Sequence, residues 1–192
     1  MYVTTHSTVR AADAVFVMVD MQCALAEAMA RRAAVVGTAA LLARAARILG
    51  VPVLVTRQYP RGLGDTVPEF AAVLGEHEPI DKVTFSCLAE PAFRERLESP
   101  GRRQVVLAGM ETHICISQTA LALVAEGYEV FVAADAVCSR RDADHEVALA
   151  RLRAAGVQVT VAESVIYEAL GRAGTPEFKA ILELVKAQPL AG

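Results

Sequence analysis

Five short valine-rich runs, at 14–19, 51–56, 104–108, 128–134 and 157–161, alternate along the chain with stretches rich in alanine and leucine. No other feature restricts the fold as much. Each run has the length of a strand and lacks period-two alternation, so it reads as buried on both faces of a sheet. Helical spacing over 38–49, 91–97, 114–125, 142–155 and 176–186 supplies the layers that cover it. Gly50, Gly127 and Gly156 end three of these stretches, where a left-handed cap is expected before the next strand. The expected fold is therefore α/β: a doubly wound, three-layer α/β/α, Rossmann-like arrangement around a mostly parallel six-stranded sheet. The sixth strand is placed at 81–84, and residues 1–192 are taken as one domain, a natural size for a single core.

Between the second and sixth strands, the stretch 58–80 contains Pro60, Gly62, Gly64, Pro68, Gly75 and Pro79. It is too long for a plain connection, and reads as a lid or pocket wall with a short helix at 69–74. The chain is 54% hydrophobic with only 5% aromatic residues, which suits closely packed Ala, Val and Leu and excludes disorder. A net charge of −3 with scattered Lys and Arg argues against nucleic acid as a partner. The apolar run 14–19 is closed by Asp20, far short of a membrane span, and no leader pattern opens the chain, so a cytoplasmic, membrane-free location is expected. Cys23, Cys87, Cys115 and Cys138 have neither metal-finger nor disulfide-framework spacing, so free thiols are expected.

Cofactor motifs are lacking. The GLGDT string at 62–66 has no third glycine and lies in the long loop, so it does not read as a dinucleotide site. Neither a phosphate-binding P-loop nor a GxSxG elbow occurs. Three residues stand out by position. Asp20 ends the first strand, at the edge of the sheet where such folds bind ligands. Cys115 follows the strand 104–108 and falls in the first turn of the next helix, where the helix N-terminus is expected to stabilise a thiolate and make it the most nucleophilic of the four. Lys82 lies in a strand-like run, where an ammonium needs an anion such as Asp20 or a thiolate. If the first and fourth strands are neighbours, Asp20 and Cys115 face one crevice, and the trio supplies a nucleophile, a base and a charge partner.

Taken singly, each has a plain reading: Asp20 as a loop cap, Cys115 as a small buried hydrophobe, Lys82 as a side chain reaching solvent. His113 reads as packing near the helix start or as touching substrate. His6, His77 and His145 read as solvated, and Asp135 as a structural turn residue.

The segment around VMVDMQ at 17–22, Lys82, and GMETHIC at 109–115 resemble the signature segments of the isochorismatase-like cysteine hydrolase superfamily, which includes nicotinamidases and N-carbamoylsarcosine amidases. The likeness covers nearly the whole chain. TRQYPRGLG at 56–64, KVTFS at 82–86 and ADAVCSR at 134–140 further resemble its isochorismatase-domain hydrolases. The resemblance implies a catalytic triad of Asp20, Lys82 and Cys115. It also implies an oxyanion hole from the backbone N–H groups of Glu111 and Cys115, a cis peptide between Met110 and Glu111, and a homo-oligomer. Gln22, Tyr59, Phe85 and His113 become candidate substrate-binding residues, and Arg57 a candidate for recognising an anionic group if it points inward.

Nicotinamidases of that superfamily bind a metal through an Asp and two His after the second strand. Here that region reads TRQYP, without His, so neither a metal nor a cofactor is expected. Because enzymes that cleave the vinyl ether of isochorismate need no cysteine, retention of Cys115 leans toward hydrolysis of a carbon–nitrogen bond in a small molecule. The alternatives are a non-hydrolytic oligomeric ligand-binding or scaffold protein, with the apolar stretches 120–124 and 181–185 buried between subunits, and a redox thiol protein.

Overall fold

The computed structural model describes residues 7–188. Six strands, β1 (Ala14–Val19), β2 (Val53–Gln58), β3 (Ile80–Lys82), β4 (Gln104–Met110), β5 (Glu129–Cys138) and β6 (Gln158–Thr160), form one sheet. Their order is β3-β2-β1-β4-β5-β6 and every pairing is parallel. The expected doubly wound α/β architecture is what the chain adopts.

Helices α1 (Cys23–Glu27) and α2 (Arg32–Leu49) lead from β1 to β2, and α3 (Pro60–Leu63) and α4 (Pro68–Leu74) from β2 to β3. Helix α5 (Pro91–Glu98) precedes β4, α6 (Ser117–Ala125) precedes β5, and α7 (Asp142–Ala154) precedes β6. Helices α8 (Ala162–Leu170) and α9 (Pro176–Lys186) close the described chain. Local chemistry sets their ends. Helix α2 stops at Gly50 in the left-handed conformation, and α9 starts with Pro176 behind Thr175, whose Oγ1 accepts the Phe178 N–H at 3.0 Å.

The absence of alternation in the strands has the expected cause. Phe16 and Met18 of β1 pack with α2, α8 and α9 on one face, while Val15, Val17 and Val19 pack with α5, α6 and α7 on the other. Every side chain of β1 and β4 is buried. At roughly 1.5–3 kcal/mol for each large apolar side chain taken from water, these two central strands anchor both layers. Because the chain leaves β1 toward α2 on one face and β4 toward α6 on the other, the carboxyl ends of these neighbours flank the crevice where ligands bind in such sheets.

Several elements differ from their sequence reading. Strand β5 runs on to Cys138, because it bulges: while β4 advances from Leu107 to Gly109, β5 advances from Val132 to Val137. Asp135 therefore lies inside a strand and not in a turn, and its Oδ1 accepts the Ala162 N–H at 2.8 Å at the start of α8. Helix α8 itself was not expected from the sequence. Strand β3 is three residues long and ends at Lys82, since the chain turns away at Val83. Of the apolar stretches that the scaffold reading buries between subunits, Ala120, Leu123 and Ile181 are buried within their own chain, while Leu121, Ala122, Val124, Leu182, Leu184 and Val185 stay partly exposed. No helix among the described residues is long and apolar enough to cross a membrane.

Candidate active site

Asp20 is the first residue past β1 and adopts a left-handed backbone, φ 51°, which an aspartate tolerates better than most residues. Its N–H bonds to the Thr56 carbonyl at 3.1 Å, so the turn hangs on the neighbouring strand. Its side chain is fully buried. Oδ2 accepts from Lys82 Nζ at 2.7 Å and Oδ1 from Thr56 Oγ1 at 2.7 Å.

Lys82 does not reach solvent; its side chain is 0% exposed. The ammonium donates to Asp20, to Gln58 Oε1 at 2.6 Å and to the Thr84 carbonyl at 3.3 Å, with the Phe85 carbonyl at 3.5 Å and Cys115 Sγ at 3.7 Å. Burial alone would lower the Lys82 pKa, but the charges of Asp20 and the nearby thiols outweigh it and the pKa is raised. The three residues expected to converge therefore do so around one nitrogen atom.

Two buried residues in this network, Thr56 and Gln58, were not anticipated. Both lie on β2, two positions apart and hence on one face of the strand. Polar side chains at that spacing at the end of an apolar strand are the signal that was available. Gln58 Nε2 also donates to the Val83 carbonyl at 3.0 Å, tying its amide in place.

Cys115 sits in a single π-helical turn, Thr112–Ile116, that precedes α6. It is 5% exposed. The expected stabilisation of its thiolate is not what the surroundings provide: burial and then the Asp20 charge push the pKa up, more than Lys82 draws it down. The thiol thus holds its proton at neutral pH, beside a carboxylate. Cys87 and Cys138 are pushed up to about 11, chiefly by burial, and all four cysteines are free.

The approach of β1 to β4 depends on Gly109, paired with Val19. Its φ is +125°, and a Cβ there would lie 1.9 Å from the Val19 carbonyl oxygen. Met110–Glu111 is a cis peptide. Beyond it, the Glu111 carbonyl accepts the N–H groups of Ile114 and Ile116 and closes the turn that carries the cysteine.

The remaining candidates are distributed as follows. Gln22 is buried and its amide is engaged with the backbone of the long loop: Nε2 donates to the carbonyls of Gln58 and Gly64, and Oε1 accepts from Gln58 N–H. Arg57 does not point inward. It grips Asp81 through two bonds, of 2.7 and 3.0 Å, and pairs with Asp65, fastening the loop to β3. Tyr59 and Phe85 are about half exposed, and Tyr59 borders a cavity of about 340 Å³ that also touches Lys82, Arg61 and Glu90. His113 is half-buried, with Nδ1 2.9 Å from Ser139 Oγ. His145 is buried and not solvated, with Nδ1 3.0 Å from Thr112 Oγ1; His77 is half-buried beside the Gly75 carbonyl, and His6 lies outside the described residues.

Residues 14–164 match the isochorismatase domain family. A curated relative, isochorismatase domain-containing protein 1 of Salmo salar, is 41% identical over 92% of this chain, which spans only 62% of that protein's length. Among solved structures, the MAR1 ribonuclease of Caenorhabditis elegans superposes with a TM-score of 0.88 at 32% identity, covering 97% of this chain and 100% of that one. YcaC of Pseudomonas aeruginosa, solved with hexane-2,5-diol and covalent acrylamide, gives 0.86 at 26% identity over 94% and 92%. With the match running from the first strand into α8 and sequence identity kept over nearly the whole chain, this protein belongs to the isochorismatase domain family.

Proposed function

We propose that the chain is a cysteine hydrolase that cleaves an amide-type carbon–nitrogen bond of a small molecule through a thioester on Cys115. The observation that carries the reading is the buried contact of one ammonium with both a carboxylate and a thiol, Lys82 Nζ lying 2.7 Å from Asp20 and 3.7 Å from Cys115 Sγ. A thiol whose pKa is raised needs a base at hand, and Asp20 is that base; Lys82 balances the charge as the proton moves.

In the first step the Cys115 proton passes to Asp20 as sulfur adds to the carbonyl carbon, and the carbonyl π electrons become an oxyanion. The Glu111 N–H donates to no acceptor among the described residues, and with the Cys115 N–H it would hold that oxygen. Donors of this kind contribute about 3 kcal/mol each to the transition state. Collapse breaks the C–N bond, and the amine leaves with the proton from Asp20. Water then adds to the thioester, its proton going to Asp20; the C–S bond breaks, the acid is released and the sulfur regains a proton.

The covalent acrylamide in the Pseudomonas relative supports a reactive nucleophile in this family. The ribonuclease activity named for the Caenorhabditis structure is disfavoured for this chain by its acidic balance and scattered basic residues, since a phosphate backbone is bound through clustered Lys and Arg. Self-association and a small-molecule partner belong to the same reading.

The test is intact-mass trapping. Incubation with a pool of amides, ureides and carbamoyl compounds is expected to leave an acyl adduct on Cys115, absent in Cys115→Ala, while Asp20→Asn folds but loses turnover by a factor of about 10³ or more. Adducts spread equally over the four thiols would overturn the proposal.

A further inference from the structure

The turn that carries Cys115 is held, residue by residue, from the one segment that follows β5 and opens α7. Glu111 Oε2 accepts from the Arg140 N–H at 2.9 Å and from Arg140 Nε at 3.1 Å. Thr112 Oγ1 meets His145 Nδ1, and His113 Nδ1 meets Ser139 Oγ. The Glu111 side chain is only 5% exposed, whereas that of Arg140 is 58% exposed and reaches in from the surface. Glu111 is thus held at two points and free at a third: its carbonyl closes the nucleophile turn and its carboxylate is clamped by Arg140, while its N–H faces no protein acceptor among the described residues.

A buried carboxylate beside a developing oxyanion opposes it, and an arginine paired to that carboxylate offsets the repulsion while fixing the donor's direction. We infer that Arg140 is a positioning residue for acyl transfer: by clamping the Glu111 carboxylate it keeps the Glu111 N–H aimed where negative charge develops. This rests on the cysteine-hydrolase reading above, and it adds a residue that touches neither substrate nor nucleophile.

The experiment compares two reactions of the same sulfur. With p-nitrophenyl acetate, Cys115 adds to the carbonyl, the thiol proton goes to Asp20, p-nitrophenolate departs and an acetyl group remains on sulfur, so an oxyanion forms on the way. With iodoacetamide the sulfur attacks a saturated carbon, the C–S bond forms as iodide departs, the thiol proton goes to Asp20, and no oxyanion forms. Arg140→Ala is expected to slow the acetylation burst about tenfold or more while changing iodoacetamide alkylation of Cys115 by less than about twofold. Both variants keep the main-chain N–H bond to Glu111, and Arg140→Lys, which also keeps a side-chain cation, is expected to recover part of the loss. A parallel fall in both reactions, which a merely structural role would produce, overturns the inference, as does an unchanged burst. Mapping the acetyl group separates the two levels: wild-type protein that is not acetylated on Cys115 refutes the hydrolase reading itself.

Discussion

Lys82 is the residue on which the site's electrostatics turn. Its ammonium lies in a place where water cannot reach it, so each acceptor around it matters more than it would at a surface. Asp20 is the strongest of these, and Gln58 supplies the shortest bond at 2.6 Å. Gln58→Leu removes that acceptor and leaves its shape, and is expected to cost about 2 kcal/mol in urea unfolding, the usual worth of a hydrogen bond to a buried charge. Equal stability of the variant would mean that Lys82 finds another partner. At this scale the sequence spoke for Asp20, Lys82 and Cys115, because each is a costly residue type set at a strand end or in an apolar run. It was silent on Thr56 and Gln58, since an uncharged polar residue at a strand end carries no comparable penalty and becomes informative only once its partner from another strand is known. It left Arg57 open between facing the crevice and facing away, and the guanidinium is spent on Asp65 and Asp81.

Among the elements, β1 and β4 do the positioning, and Gly109 lets them meet. An alanine there would need both a backbone conformation that L-residues rarely adopt and room already held by the Val19 carbonyl. Gly109→Ala is expected to destabilise the fold by roughly 3 kcal/mol or more, read from thermal or denaturant melts. Where folded protein is recovered, iodoacetamide labelling of Cys115 should slow, because the strand ends that set Asp20 against the thiol are pushed apart. Labelling at the wild-type rate would show that the site tolerates the displacement. The strand and helix order was legible because hydrophobic runs and helical spacing are local patterns. The extension of β5 through its bulge was not, since it rests on Val137 and Cys138 pairing with Gly109 and Met110 of β4 after the bulged residues are passed over. Helix α8 went unread because its nine residues carry few breakers or caps of their own, and the donor end is satisfied by Asp135 from a distant strand.

For the whole molecule, the histidine buried behind the nucleophile turn couples stability to pH. His145 has its pKa lowered, first by burial and then by Arg31, against weaker opposing effects of Glu146 and Asp142. In the unfolded chain it takes up a proton as pH falls below about 6.5, while the folded protein resists doing so, and stability declines over that acid window. His145→Asn cannot titrate, so its melting temperature is expected to fall less than that of the wild type between about pH 7.5 and pH 5.5. Equal falls would show that the acid loss arises elsewhere. Lys82 acts at the other extreme: with its folded pKa raised, its contribution persists at neutral pH and is lost only as pH climbs above about 10.5.

By itself the sequence determined the fold class, the order of the strands with most of the helices between them, and the three residues around which the chemistry is proposed. Those follow from periodicity along the chain and from the cost of burying an ionisable group, both of which are properties of residue types and their neighbours. The tertiary structure alone decided that the Cys115 pKa is raised instead of lowered, that Arg57 and Gln22 fasten the loop, and that Arg140, Ser139 and His145 brace the turn from the segment after β5. Each of those outcomes depends on which atoms, far apart along the chain, end within hydrogen-bond distance of one another, and no local pattern encodes that distance.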